Sequence, residues 1–101
     1  MPVLSQDTHI FVVDLDYTAP MGRIESKLDA HRRFLDANYA RGRFLASGPK
    51  EPRTGGVILA LGTSRAEIET LLDSDPFRAL DLARYTVTEF HPVKAAPALL
   101  G

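Results

Sequence analysis

Two stretches of this sequence are apolar on both sides of an extended chain, and they constrain the fold more than anything else in it. Thr8–Asp16 reads THIFVVDLD, with Ile10, Phe11, Val12 and Val13 in succession. Gly55–Leu61 reads GGVILAL and has the same character. Side chains alternate between the two faces of a strand, so a run apolar at both parities is apolar on both faces. Strands of that kind belong in the interior of a sheet. Any architecture for this chain must place these two at the centre.

The intervening sequence supplies the rest. Tyr17–Gly22 is a turn, and a helix is expected from about Arg23 to Arg41. On a ~100° wheel, Ile24, Leu28, His31, Leu35, Asn38 and Tyr39 share one stripe. Gly42 suits the left-handed residue that ends such a helix. Arg43–Ser47 reads as strand two, ended by Gly48-Pro49, and Lys50–Thr54 as a polar loop. After strand three, Ser64-Arg65-Ala66-Glu67 fits a capping box that opens a second helix, with Ile68, Leu71 and Leu72 on its apolar face. Asp75-Pro76 begins a further helical turn, with Pro at its first position. Tyr85–Phe90 is strand four. The order is β-α-β-β-α-β, the ferredoxin-like arrangement, an α+β fold with a four-stranded antiparallel sheet and both helices on one face.

That arrangement makes strands one and three the central pair. One of their apolar faces meets the helices. The other is exposed in a monomer, and a patch of that composition marks an interaction surface. A homodimer packed through the sheet face, a dimeric α+β barrel, is therefore expected. The 101 residues suit one domain, with a core over about 8–94, a lead-in before it and a loose or partner-bound tail at 95–101.

Composition removes several function classes. The net charge of −1 offers no basic excess for nucleic acid. With no cysteine, thiolate metal sites, disulfides and a Cys nucleophile are excluded. No run approaches the ~20 apolar residues of a membrane span, and the first residues lack the pattern of a signal peptide. A cytoplasmic protein is expected. His9, His31 and His91 show no metal-ligand spacing, so no metal is expected. Gly55-Gly56 is not a phosphate loop, since a strand follows it and no Lys-Ser/Thr does.

His31 carries the most chemical information. Imidazole is the side chain most readily tuned for proton transfer near neutral pH. Two readings stand: a core histidine satisfied by a backbone carbonyl, or a catalytic base. Asp75 is first of all an N-cap, but it is also a candidate carboxylate for orienting His31, with Asp73 as an alternative. Ser47 is a candidate hydroxyl donor, and Gly48 permits close backbone approach. Pro49 closes that run. Arg53, on the loop that follows, is either surface charge or a contact for an anionic ligand. Phe77 and Tyr85 read as packing residues and as possible pocket walls.

Three runs, His31-Arg32-Arg33-Phe34-Leu35, Ala46-Ser47-Gly48-Pro49 and Ser74-Asp75-Pro76-Phe77, together resemble the YciI-like (YCII-related) family. The resemblance covers roughly His9 to Lys94. It implies a dimeric α+β barrel and a His–Asp pair with a nearby serine, which by motif match are His31, Asp75 and Ser47. It also implies chemistry of a restricted kind: one relative in aromatic catabolism is a dehydrochlorinase, and the wider superfamily includes muconolactone isomerases and cofactor-free monooxygenases. A cofactor-independent enzyme acting on a small molecule, by isomerisation, elimination or hydrolysis, is the expectation. A non-catalytic metabolite-binding or accessory dimer is the alternative.

Overall fold

The computed structural model describes residues 4–100. Met1–Val3 of the lead-in and Gly101 of the tail lie outside them. The elements in order are β1 (His9–Tyr17), α1 (Met21–Ser26), α2 (Leu28–Ala40), β2 (Phe44–Pro49), β3 (Gly55–Gly62), α3 (Arg65–Leu72), α4 (Pro76–Ala79), β4 (Ala83–Phe90) and α5 (Pro97–Leu100). The strands form one antiparallel sheet in the order β2-β3-β1-β4. The two doubly apolar strands are its central pair, as their pattern requires. None of the described helices is long and apolar enough to cross a membrane.

The two parities of β1 and β3 separate as expected. Phe11, Val13 and Leu15 of β1, with Ile58 and Ala60 of β3, are buried and join the core. Ile24, Phe34, Ile68, Leu72 and Phe77 come down on them from the helical side. Burial of each such side chain contributes about 1.5–3 kcal/mol. On the opposite face Val12 pairs with Leu59 and Ile10 with Leu61 and Phe90. Toward one end of β1, Lys50 reaches Asp14 and Asp16 at 2.6 and 2.7 Å.

The first helix differs from the continuous one expected over Arg23–Arg41. It breaks at Lys27, whose φ and ψ are −112° and 5°. The cause is local. The Ser26 hydroxyl donates to the Arg23 carbonyl at 2.7 Å, which is the acceptor Lys27 N–H needs to continue an α-helix. Lys27 N–H turns to Ile24 O instead, at 3.1 Å. Beyond the break, the deeply buried residues of α2 are Phe34 and Asn38. Leu28, His31 and Leu35 are only half-buried because they border a cavity. Phe34 was absent from the expected stripe.

Strand two also departs from its expected bounds. Gly48 and Pro49 do not end it. They pair with Val57 and Gly56. The strand is an edge, with a neighbour on one side only, and that is where a sheet tolerates proline. Strand four likewise begins at Ala83, two residues earlier than expected.

The caps follow the sequence closely. Gly42 has φ 72°. Ser64 Oγ accepts from Glu67 N–H at 3.2 Å, but only this half of the capping box forms. The Glu67 carboxylate accepts from Thr63 Oγ1 and pairs with Arg43 instead. In the tail, expected to be loose or held by a partner, Leu99 O accepts from Leu4 N–H at 2.9 Å.

Candidate active site

The site is built around a buried carboxylate. Asp75 caps α4, and its Oδ1 accepts from Phe77 N–H at 3.1 Å. The capping reading of the sequence is therefore correct, but it does not exhaust the residue. Asp75 is completely buried, and the same Oδ1 lies 2.8 Å from His31 Nδ1. Its Oδ2 accepts from the Tyr85 hydroxyl. Taking a carboxylate out of water is costly unless its lone pairs are filled. Here three donors fill them, from α2, α4 and β4. Asp73, the alternative partner, is exposed and lies 3.7 Å from Arg78 instead.

The cap also sets the stack. By fixing Phe77 N–H, Asp75 positions the Phe77 ring over His31, with centroids 4.1 Å apart and planes within 9° of parallel. Phe34 flanks the imidazole at 6.2 Å. The ring is thus held flat by an aromatic face and pinned in its plane by a carboxylate. A carboxylate only accepts, so Nδ1 carries the proton and Nε2 presents its lone pair in the neutral ring. Among the described residues no hydrogen bond uses Nε2.

His31 borders a cavity of about 460 Å³. Ser47, Gly48, Pro49, Arg53 and Phe77 border the same cavity, so the fold gathers six of the residues singled out from the sequence. Asp75 lies behind His31. Leu15, Leu28, Leu35 and Ile58 give apolar walls, and Arg32, Arg53 and Glu25 add charge. Arg53 stands 4.0 Å from Glu25. Ser47 Oγ lies 2.7 Å from the Tyr39 hydroxyl. Gly48 has open space where a Cβ would stand, so the backbone there borders the cavity without being forced to by packing.

Two tyrosines have roles that residue type and spacing do not reveal. Tyr85 does not wall the cavity. It supports Asp75 from behind, packed against the core with the Arg78 guanidinium 5.5 Å from the centre of its ring. Burial pushes its phenol well above the ordinary range, and the adjacent Asp75 carboxylate adds to that by charge and by accepting its hydrogen bond. The signal for it was parity: Tyr85 pairs with Leu15, on the core side of β4, where a buried hydroxyl needs an acceptor. Tyr39, last on the expected helix stripe, reaches Ser47. The other histidines stand apart from this site, His9 on Glu89 at 2.6 Å and His91 on Gln6 O at 3.1 Å. Among the described residues no three His, Asp or Glu side chains gather in a way that could hold a metal ion.

An apolar cavity with one oriented imidazole, one hydroxyl and peripheral guanidinium groups can bind a small, partly polar molecule and move a proton on it. The comparisons with known proteins agree with the fold. No curated protein sequence matches the chain. Among solved structures, the 5-chloro-2-hydroxyhydroquinone dehydrochlorinase (TftG) of Burkholderia phenoliruptrix AC1100, in complex with 2,5-dihydroxybenzoquinone, is similar with a TM-score of 0.69 and 17% identity, over 80% of this chain and 92% of that one. The model of the YCII-related domain matches residues 10–91, most of the chain. The protein belongs to the YCII-related domain family.

Proposed function

We propose that the protein is a cofactor-independent small-molecule enzyme in which His31 is the general base. The observation that carries this reading is the 2.8 Å bond from His31 Nδ1 to a fully buried carboxylate, on a ring that borders a cavity. In the first step Nε2 takes a proton from a carbon or hydroxyl of a small, cyclic substrate. Asp75 stabilises the imidazolium so formed, as carboxylates do in catalytic dyads. The electron pair left behind moves onto a substrate oxygen, where the Ser47 hydroxyl offers a hydrogen bond. The imidazolium then returns its proton to a different carbon, an isomerisation, or the pair expels a leaving group as an anion and the imidazolium gives its proton to water, an elimination. Arg53 and Phe77 hold the substrate, by charge and by ring contact. The fold neighbour is named a dehydrochlorinase, so elimination is the reaction to test first.

The test is a panel of small hydroxylated rings, with and without a halogen leaving group, followed by absorbance and chloride release. The 2,5-dihydroxybenzoquinone bound by the neighbour serves as a binding probe. A positioned general base contributes about 10²–10⁴-fold. H31Q is expected to lose at least the lower figure in kcat/KM while keeping the wild-type fold. Equal kcat/KM in H31Q overturns the reading. Binding without turnover of any compound supports an accessory role instead.

We also propose that two copies pack through the open sheet face, around Val12, Leu59, Leu61 and Phe90. These apolar side chains sit together on strands whose other face is already filled. Sedimentation at micromolar concentration should show a species of twice the 11.1 kDa chain. A purely monomeric profile overturns this.

A further inference from the structure

The proposed dyad has a third member behind it. Asp75 Oδ2 is occupied by the Tyr85 hydroxyl, while Oδ1 serves His31 and the Phe77 amide. A carboxylate shares one delocalised charge between its oxygens. What one donor draws from it, the others lose. Tyr85 and His31 are therefore competitors for the same anion, and only one of them faces the cavity. The hydroxyl also fixes the carboxylate plane. With Phe77 N–H on one oxygen and Tyr85 on the other, Asp75 cannot rotate away from the imidazole.

We infer that Tyr85 is a positioning residue of the site: its hydroxyl locks the Asp75 carboxylate and sets how strongly that carboxylate holds the His31 Nδ1 proton. The inference rests on the dyad reading above for its importance, but the bond itself exists with or without catalysis. Burial keeps the phenol neutral, and so always a donor to Asp75. Packing alone does not explain the contact. A phenylalanine fills the same space and leaves Oδ2 without a partner, so the hydroxyl has a role of its own.

The experiment reads the His31 Nδ1–H proton directly, by NMR of protein labelled at histidine nitrogen, with no ligand present. In Y85F the competing donor is gone, Oδ1 gains charge, and the Nδ1–H resonance is expected to move downfield. Replacing Tyr85 with 3-fluorotyrosine keeps the shape and folding of the site but makes a stronger donor. The same resonance is then expected to move upfield. Opposite displacements support the proposal. If neither substitution moves the resonance, or both move it the same way, Tyr85 is a packing residue and the proposal fails. Failure of H31Q to lose activity bears on the enzyme reading and leaves this result standing.

Discussion

Replacing Asp75 separates its structural work from its electrostatic work. In D75A, Phe77 N–H and the Tyr85 hydroxyl both lose their acceptor inside the protein. The neutral His31 ring escapes this cost, because it can carry its proton on Nε2 instead, and the ring is 13% exposed and borders the cavity. An orphaned buried donor costs about 1–3 kcal/mol, so two cost about 2–6 kcal/mol. D75N behaves differently. Two donors share Oδ1 and one of them, the Phe77 amide, cannot reverse. The asparagine oxygen must take that place and its NH₂ must face Tyr85. A phenol rotates to accept, so the Phe77 amide and the Tyr85 hydroxyl each keep a hydrogen bond. What is lost is charge assistance, worth about 1–3 kcal/mol over the set. For a domain of this size, 1 kcal/mol moves Tm by about 4–8 °C. D73A, at an exposed side chain, should stay within about 0.5 kcal/mol of wild type. Urea denaturation measures all three. D75A no less stable than D75N, or both indistinguishable from D73A, would refute the picture of a buried carboxylate with three donors.

Two further predictions follow from the same structure. Since the folded-state phenol of Tyr85 titrates above its unfolded value of 10.0, its contribution to stability is fully present below pH 10 and is lost as the pH rises beyond it; the alkaline difference absorbance of wild type against Y85F should show the Tyr85 phenol ionising only as the protein unfolds. Gly55 packs where a Cβ would collide with the Leu15 carbonyl of the neighbouring strand, so G55A should cost about 1–3 kcal/mol or more, whereas G48A, facing open space, should leave the melting temperature close to wild type.

Much of this was legible in the sequence, and the reasons differ by feature. The double parity of Thr8–Asp16 and Gly55–Leu61 identified the central strands because burial on both faces leaves no other place for them. Gly42 and Ser64 were legible because caps obey local rules. The break at Lys27 was not, since it turns on whether one serine rotamer takes a backbone carbonyl. Strand two ran through Gly48-Pro49 because its edge position, a property of the whole sheet, makes a proline harmless there. His31, Ser47 and Asp75 could be singled out by residue type and resemblance. That Asp75 is at once cap, acceptor for His31 and acceptor for Tyr85 needed the packing of three elements that lie far apart in sequence. Tyr85 was legible as a packing residue and no more, for the same reason: its parity was visible, but not the acceptor waiting opposite it.

The central claim is that Asp75 takes Nδ1 of His31 and leaves Nε2 as the basic atom at the cavity. Long-range proton–nitrogen NMR of the histidine ring, at a pH where the ring is neutral, reads this without a substrate. The account predicts a protonated Nδ1 and an Nε2 that bears the lone pair, with the Nε2 signal displaced when an active compound from the panel enters the cavity. A proton on Nε2 instead would contradict it, because the imidazole would then have no base to offer.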